Sequence, residues 1–328
     1  MNIPRIYSVF LFLLASQSLY AGTIPDGLSG DWSLDVEDGT PAWMSVQETN
    51  GKTVVYFRLY IGPSGPYQAI RTGDNTLQFE LKKRKNSTTT KTVKAGIKDG
   101  KLDGSISHKH PDGTTQITAF NGTKIPPMPT QAPDLAKVRF GDPVTLFNGK
   151  DLNGWTPHEA DKINGWSATN GLLTNATPKT DFSATGDHAN LKTTAVFDDF
   201  QLHIEFLIGS QRNSGIYLRG MYEAQVVDRD SRMQGLQGVG AIFGMIEPSE
   251  NAGKPGGEWQ TYDITLVDRH VTVVLNGVKV IDNQPVPGPT AGAIHTNPAE
   301  PGPIYLQGDH TAVSYRNIYL SPVISREP

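Results

Sequence analysis

NSGIYLRGMYEAQVVD, residues 213–228, reads as two short strands folded about a turn at Gly220-Met221. Ile216 and Leu218 alternate with Tyr217 and Arg219 before the turn, and Glu223 and Gln225 alternate with Ala224 and Val226 after it. Successive strand residues point to opposite faces, so Glu223 and Gln225 share one face and Ala224 and Val226 the other. Two polar groups on one face of an apolar hairpin describe either the wet side of a surface sheet or the wall of a binding cleft. Asn213, Arg219, Glu223, Gln225 and Asp228 all fall within this one stretch, which keeps the cleft in play.

The same period of two continues outward. Phe200, Leu202, Ile204, Phe206 and Ile208 form a five-member apolar alternation that leaves Gln201, His203 and Glu205 on the opposite face. Tyr262, Ile264 and Leu266 alternate with Asp263 and Thr265; Val271, Val273 and Leu275 lead into Asn276-Gly277, from which Val278 and Val280 return. Ile304 and Leu306 alternate with Tyr305 and Gln307. No amphipathic helical stretch of about ten residues interrupts them. Many short strands over residues 134–328 predict a two-sheet sandwich of jelly-roll type, whose inner faces make the core and whose outer face can carry a site.

Upstream, residues 22–125 predict a separate small all-β domain. Leu77, Phe79 and Leu81 alternate with polar neighbours, while Val54 to Ile61 is apolar enough to be covered on both faces. Asn50-Gly51, Asp99-Gly100, Asp112-Gly113 and Asn121-Gly122 are hairpin signals, because Asn, Asp and Gly tolerate the positive φ such turns need. The expectation is a meander of six or seven strands closing into a barrel-like or curled sheet. His108 and His110 lie beside a turn, two apart, and read as exposed histidines before metal ligands. Between the two regions, IPPMPTQAP (125–133) holds four prolines, so residues 126–133 read as an extended linker.

Composition bounds the function. The 328 residues carry a formal charge of −4, 34 Gly, 23 Pro and no Cys. Nothing is basic enough to attract nucleic acid, and Lys82-Lys83-Arg84-Lys85 reads as a solvated hairpin end. Arg5, the apolar run Val9–Leu14 and the small residues before Gly22 describe a secretory signal peptide over 1–21, cleaved near Ala21. That run is too short to span a bilayer. The expectation is an exported protein, periplasmic or secreted, with no transmembrane segment after cleavage. There is no phosphate-binding Gly loop, no G-x-S-x-G elbow and no Cys nucleophile.

Ten phrases between residues 144 and 321 resemble one family in order: LFNGKDLNGW (146–155), GW (165–166) with GLL (171–173), DFQLHIEF (199–206), NSGIYLRG (213–220), YEAQVVD (222–228), GAIFG (240–244), EWQTYDI (258–264), LNGV (275–278), IYLQGDH (304–310) and YRNIYL (315–320). The chain is identified by them as similar to the domain of unknown function 1080, also called the 3-keto-disaccharide hydrolase domain. Gln260, Phe243 and Gly308-Asp309-His310 depart from its usual pattern.

The resemblance implies a concanavalin-like jelly roll that splits 3-keto-glycosides, sugars oxidised to a ketone at carbon 3. The ketone acidifies the C2 proton, the enolate expels the C1 substituent, and water can add back. Such a site needs a base, an acid for the leaving oxygen, donors for the enolate and a surface for the ring. Glu223 and Glu205 are the candidate bases and His310 the candidate acid, with loop residue as its plainer reading. Arg219 would grip an enolate or hydroxyl oxygen, or form a structural salt bridge to Glu223 or Asp228. Asn213, Gln225, Asp228 and Gln307 suit hydroxyl recognition. Trp259 is a stacking platform or a core residue, and His203, on the Glu205 face, a second acid–base group. No cofactor is required; a divalent metal on Glu223, Asp228, His203 or His310 fits the residue types without being demanded by their spacing. Trp155 and Trp166 read as core, and Pro248–Gly257 as a mobile loop over the cleft mouth. The non-enzymatic alternative is a lectin-like carbohydrate-binding module, which needs hydroxyl ligands but no perturbed carboxylate.

Overall fold

A computed structural model describes residues 24–60, 64–82, 88–178 and 184–327. The expected leader lies outside them, as does most of the 82–85 basic run. The described residues are almost wholly β, with two short 3-10 turns, Leu135–Lys137 and Gly235–Gln237.

The N-terminal sheet has nine antiparallel strands, more than the meander expected from turn signals alone. Its order across the sheet is Tyr67–Gln68, Lys52–Leu59, Pro41–Thr49, Gly30–Val36, Thr115–Lys124, Lys101–Lys109, Thr90–Lys98, Thr76–Glu80 and Ile70–Gly73. The two outermost strands are neighbours in sequence, so the sheet curls until its ends nearly meet. Its interior is lined by Trp32, Met44, Val55, Phe57, Phe79, Val93, Leu102 and Phe120. Asn50-Gly51 and Asp99-Gly100 turn with positive φ at both residues, as their chemistry predicts. Asn121-Gly122 does not turn. It lies inside the strand Thr115–Lys124, where Gly122 faces Leu102 and an added Cβ would stand 2.5 Å from Leu102 Cδ2. That glycine answers a close side-chain approach inside the curled sheet.

The second region is a sandwich. Its larger sheet runs Trp166–Thr169, Leu172–Asn175, Val313–Arg326, Phe200–Ile208, Trp259–Val267, His270–Leu275 and Val278–Pro285, with Val138–Phe140 and Val144–Thr145 also paired to the long strand Val313–Arg326. Its smaller sheet runs Trp155–Pro157, Leu191–Thr193, Tyr305–Leu306, Ser214–Leu218 and Tyr222–Val226. The Phe200–Ile208 alternation faces inward and meets Ile216, Leu218, Ala224, Val226 and Leu306 of the smaller sheet in one core. Trp155 and Trp166 are buried there, their indole N–H groups donating to Leu146 O (2.6 Å) and Ala189 O (3.0 Å).

The Pro-rich segment does not hang free between the two. Arg269 Nη1 donates to Pro126 O and Asn283 Nδ2 to Pro133 O, laying the segment along the sandwich. Thr296 Oγ1 donates to Ala42 O, and the backbone N–H of Gly292 donates to Tyr60 O at 2.7 Å. Gly288 lies against Trp43 so closely that a Cβ would stand 2.9 Å from the indole. The N-terminal sheet is therefore seated on the loop 288–296 of the sandwich.

Candidate active site

The smaller sheet has two unlike faces. Ile216, Leu218, Ala224 and Val226 point into the core, and the alternate residues Tyr217, Glu223 and Gln225 point outward. Yet every residue of both hairpin strands is buried. The outer face is covered, which rules out the wet-side reading, and the cover comes from segments remote in sequence.

Those segments enclose a cavity of about 280 Å³. Asn213, Tyr217, Glu223, Gln225, Tyr305 and Gln307 line its floor, while Phe243, Ala291-Gly292, Asp309-His310 and Tyr60 of the N-terminal sheet complete its walls. The strand Tyr222–Val226 lies at the sheet edge, and its free edge is satisfied locally. Gln225 N donates to Ala241 O, Phe243 N to Glu223 O, and Glu223 N to Thr290 Oγ1.

The hairpin register places the carboxylate. The connection is three residues, Arg219-Gly220-Met221, with positive φ at Arg219 (56°) and Gly220 (63°), and Leu218 pairs Tyr222. Tyr217 thereby faces Glu223 across the ladder, and Gly215 faces Gln225. The Glu223 side chain lies over Gly215, where a Cβ would come within 2.3 Å of Glu223 Oε1. Only a residue without a side chain leaves that space.

Glu223 is 4% exposed and forms no ion pair among the described residues. Burial pushes its pKa up to about 8; the Tyr217 hydroxyl works against the shift and the Asp309 carboxylate adds to it. Tyr217 is itself fully enclosed, its hydroxyl donating to Ala291 O at 2.9 Å, and burial first, then Glu223, raises its pKa. Gly292, at φ +82°, leaves room for that hydroxyl. Beside this pair, His310 Nδ1 stands 2.6 Å from Asp309 Oδ1. A carboxylate can only accept, so Nδ1 carries the proton and Nε2 is the variable nitrogen. Asn213 Oδ1 and Gln307 Oε1 are buried with no partner among the described residues, two acceptors held ready for donors from a guest. Gln225 is partly spent, donating from Nε2 to Gln237 O and accepting at Oε1 from Val226 N.

The other expected site residues stand elsewhere. Arg219 leaves the strand at the turn and is buried against Asp198 (3.1 Å) and Asp199 (3.9 Å), also donating to Pro298 O; it pairs with neither Glu223 nor Asp228. Asp228 accepts from Gln211 N and anchors that loop, outside the cavity lining. Glu205, His203 and Trp259 share the outer face of the larger sheet. There Arg316 Nε and Asn317 Nδ2 each donate to Glu205 at 2.7 Å, and the Arg316 guanidinium lies 4.0 Å from the Trp259 ring centre. His203 Nδ1 meets Asp263 at 2.6 Å. Trp259 thus stacks on a protein cation, outside both the core and the cavity. The Pro248–Gly257 loop is pinned away from the cavity too: Ser249 N donates to Val280 O, Arg229 N to Lys254 O, and Asn276 Nδ2 to Ala252 O.

Tyr217, Tyr305, Asp309, Phe243 and Tyr60 were not singled out from sequence. Tyr305 alternates with core residues beside Gln307, a usable signal. Tyr217 needed the three-residue loop, since a two-residue turn would have set Ala224 opposite it. Tyr60 carried no local signal. Among the described residues no group of three or more His, Cys, Asp or Glu is arranged to hold a metal ion.

Comparison with known proteins finds partial likenesses. A candidate glycosyl hydrolase from Parabacteroides distasonis ATCC 8503 aligns with TM-score 0.46 and 21% identity, over 56% of this chain and 94% of that one. A second structure from the same organism gives 0.42 and 22%, over 56% and 100%. A 3-keto-disaccharide hydrolase from Bacteroides thetaiotaomicron is 24% identical over 42% of this chain, which spans 57% of that relative's length. The model of the 3-keto-alpha-glucoside-1,2-lyase-like domain matches residues 142–321, most of the sandwich with the hairpin and every cavity residue except Tyr60. With more than half of its 328 residues so matched, the chain belongs to the 3-keto-alpha-glucoside-1,2-lyase-like domain family.

Proposed function

We propose that the protein is an exported enzyme that cleaves 3-keto-glycosides in the Glu223 cavity, by removal of the C2 proton, elimination at C1 and hydration. The observation that carries this reading is Glu223: a carboxyl buried without a cation, its pKa pushed up to about 8, in a cavity that otherwise offers hydroxyl ligands. A lectin needs no such group, because hydroxyl recognition is served by ordinary amides and carboxylates. A base acting on a weak carbon acid does need one, since a pKa near the working pH combines an accessible ionised form with real proton affinity.

In this reading Glu223, ionised, takes the proton from C2. The C–H electron pair becomes the C2–C3 double bond, and the ketone π pair moves to the C3 oxygen as an enolate. The enolate collapses, the C1–O bond breaks, and the leaving oxygen receives a proton from His310 Nε2, whose ring is held through Nδ1 by Asp309. Water then adds to C1 of the enone, giving up a proton to His310 Nε2, while Glu223 returns its proton to C2, giving net hydrolysis with both groups restored. Asn213 and Gln307 accept hydrogen bonds from ring hydroxyls. Base and acid would each contribute about 10²–10⁴-fold. The cavity, close to the lower bound of about 300 Å³ for ligand pockets, suits one sugar ring with the aglycone projecting from it.

The test is to incubate the mature protein with a 3-keto-glucoside and with its unoxidised parent in D₂O, following both by NMR. Release of the aglycone from the ketone alone is the expected result, with deuterium at C2 of the product to the extent that the Glu223 carboxyl exchanges with solvent before its proton returns. Equal release from the unoxidised parent removes the enolate. Saturable binding without release returns the cavity to a carbohydrate-binding module.

A further inference from the structure

Among the described residues Tyr60, one position past the strand Lys52–Leu59, is the one cavity residue that the N-terminal region supplies, and it stands where that region meets the sandwich. Its backbone is fixed from the sandwich side by the Gly292 N–H, next to the cavity residue Ala291. Just behind it, Ser33 Oγ and Thr296 Oγ1 lie 2.8 Å apart, Thr296 donates to Ala42 O, and Arg269 faces Asp31 at 3.6 Å. These polar ties hold the backbone that carries Tyr60 against the sandwich, as the placement of a binding residue requires.

The phenol reaches the cavity beside that of Tyr305, whose ring packs edge-on against Tyr217 at 4.9 Å. Each phenol carries one O–H that can donate. Burial pushes the Tyr60 pKa up to about 12, and Asp309 and Glu159 add to the shift, so the hydroxyl stays protonated as a donor. The rest of the lining complements it: Asn213 and Gln307 present bare acceptors, and the two phenols bring donors to the same cavity.

We propose that Tyr60 is a substrate-binding residue, its phenol acting with Tyr305 to donate a hydrogen bond to a sugar oxygen, so that the site is built by both β regions together. This rests on the reading of the cavity as a glycoside site. The N-terminal sheet then acts as a wall of the active site, beyond any role in anchoring or targeting.

The experiment uses the full chain with Tyr60→Phe, Tyr305→Phe and the double variant, comparing turnover and equilibrium binding of the 3-keto-glucoside and its parent. Phenylalanine keeps the ring and the seating of the sheet, so the melting temperature should hold. Tyr60→Phe is expected to raise KM roughly three- to ten-fold, the loss of one hydrogen bond, with kcat within about two-fold. The double variant should be little worse than the poorer single one, because both hydroxyls then serve the same sugar oxygen. Wild-type turnover with an unchanged KM in Tyr60→Phe overturns the proposal and leaves the enzyme reading intact. Binding without turnover, weakened by Tyr60→Phe, upholds Tyr60 and overturns the enzyme. Neither binding nor turnover of either sugar by the wild type overturns both.

Discussion

Glu223 and Glu205 look alike in sequence, each a carboxylate in a strand whose alternate residues are apolar, and the fold gives them opposite fates. Glu205 lies on the outer face of the larger sheet. Burial alone would raise its pKa, but hydrogen bonds from Asn317 and Arg316 outweigh that and bring it below the usual range. Glu223 lies on the outer face of the smaller sheet, where no cation among the described residues reaches it and burial dominates. Alternation assigns a side chain to a face. What covers the face, and with which partners, decides its chemistry, and the cover over Glu223 comes from residues 60, 243, 291–292 and 309–310.

The sharpest way to break the contrast is to neutralise each carboxylate in turn. Glu223→Gln should lower kcat on a 3-keto-glucoside about 10²–10⁴-fold, whereas Glu205→Gln should stay within about two-fold of wild type. Equal losses would erase the distinction. The limb of the wild-type kcat/KM profile that the base controls should rise about tenfold per pH unit below pH 8, since Glu223 must be ionised. A profile falling over that range would make Glu223 the acid.

The same substitution should stabilise the fold. A carboxyl whose folded pKa is about 8 and whose unfolded value is 4.5 costs nothing below pH 4.5, and its penalty grows as pH rises toward 8. Glu223→Gln removes that penalty, so its advantage in denaturant unfolding should be absent near pH 4 and reach on the order of 5 kcal/mol by pH 9. An advantage independent of pH would mean that Glu223 is not buried as described.

Gly215→Ala attacks the placement of the carboxyl and leaves its charge alone. The new Cβ would meet Glu223 Oε1 at 2.3 Å, so the side chain must swing away or the strands must part. Overpacking of this kind costs about 1–3 kcal/mol, and a base displaced by an ångström costs roughly 10²-fold in rate. Unchanged activity with unchanged stability would show that Glu223 does not need the space above Gly215.

The architecture was legible because it is written in a period of two: Phe200–Ile208 and the hairpin around Gly220 show their core faces directly. Asn213, Gln225, Gln307, His310 and Glu223 could be nominated because they sit on motif strands or just past them, and the structure brings those five to one cavity. Arg219 escaped because its direction depends on a positive φ and a loop one residue longer than the turn expected from Gly220-Met221. His203, Glu205 and Trp259 lie outside that cavity, and their partners, Asp263, Arg316 and Asn317, come from other strands of the larger sheet, whose pairing a single sequence does not state. Tyr60 lies furthest out of reach, since its place in the cavity depends on how one sheet seats on another.

The smallest effect belongs to the Glu205 cluster, and its sign is what makes it useful. A lowered folded pKa means that the Arg316 and Asn317 contacts stabilise the protein above pH 4.5 and lose their hold as pH falls through the folded value. Exposed charge pairs contribute about 0.2–1 kcal/mol, so Glu205→Gln should cost no more than that near neutrality and nothing in acid. The loss should shrink in high salt, because Arg316 is partly exposed. Measured side by side against the wild type, Glu205→Gln is thus expected to lose stability as pH rises through the folded Glu205 value to 4.5, and Glu223→Gln to gain it as pH rises from 4.5 to about 8. Two neutral glutamines replacing two glutamates would then tilt the same pH axis in opposite directions. Slopes of the same sign would mean that the two sheet faces give their carboxylates one kind of environment, and would remove the ground for placing the chemistry at Glu223.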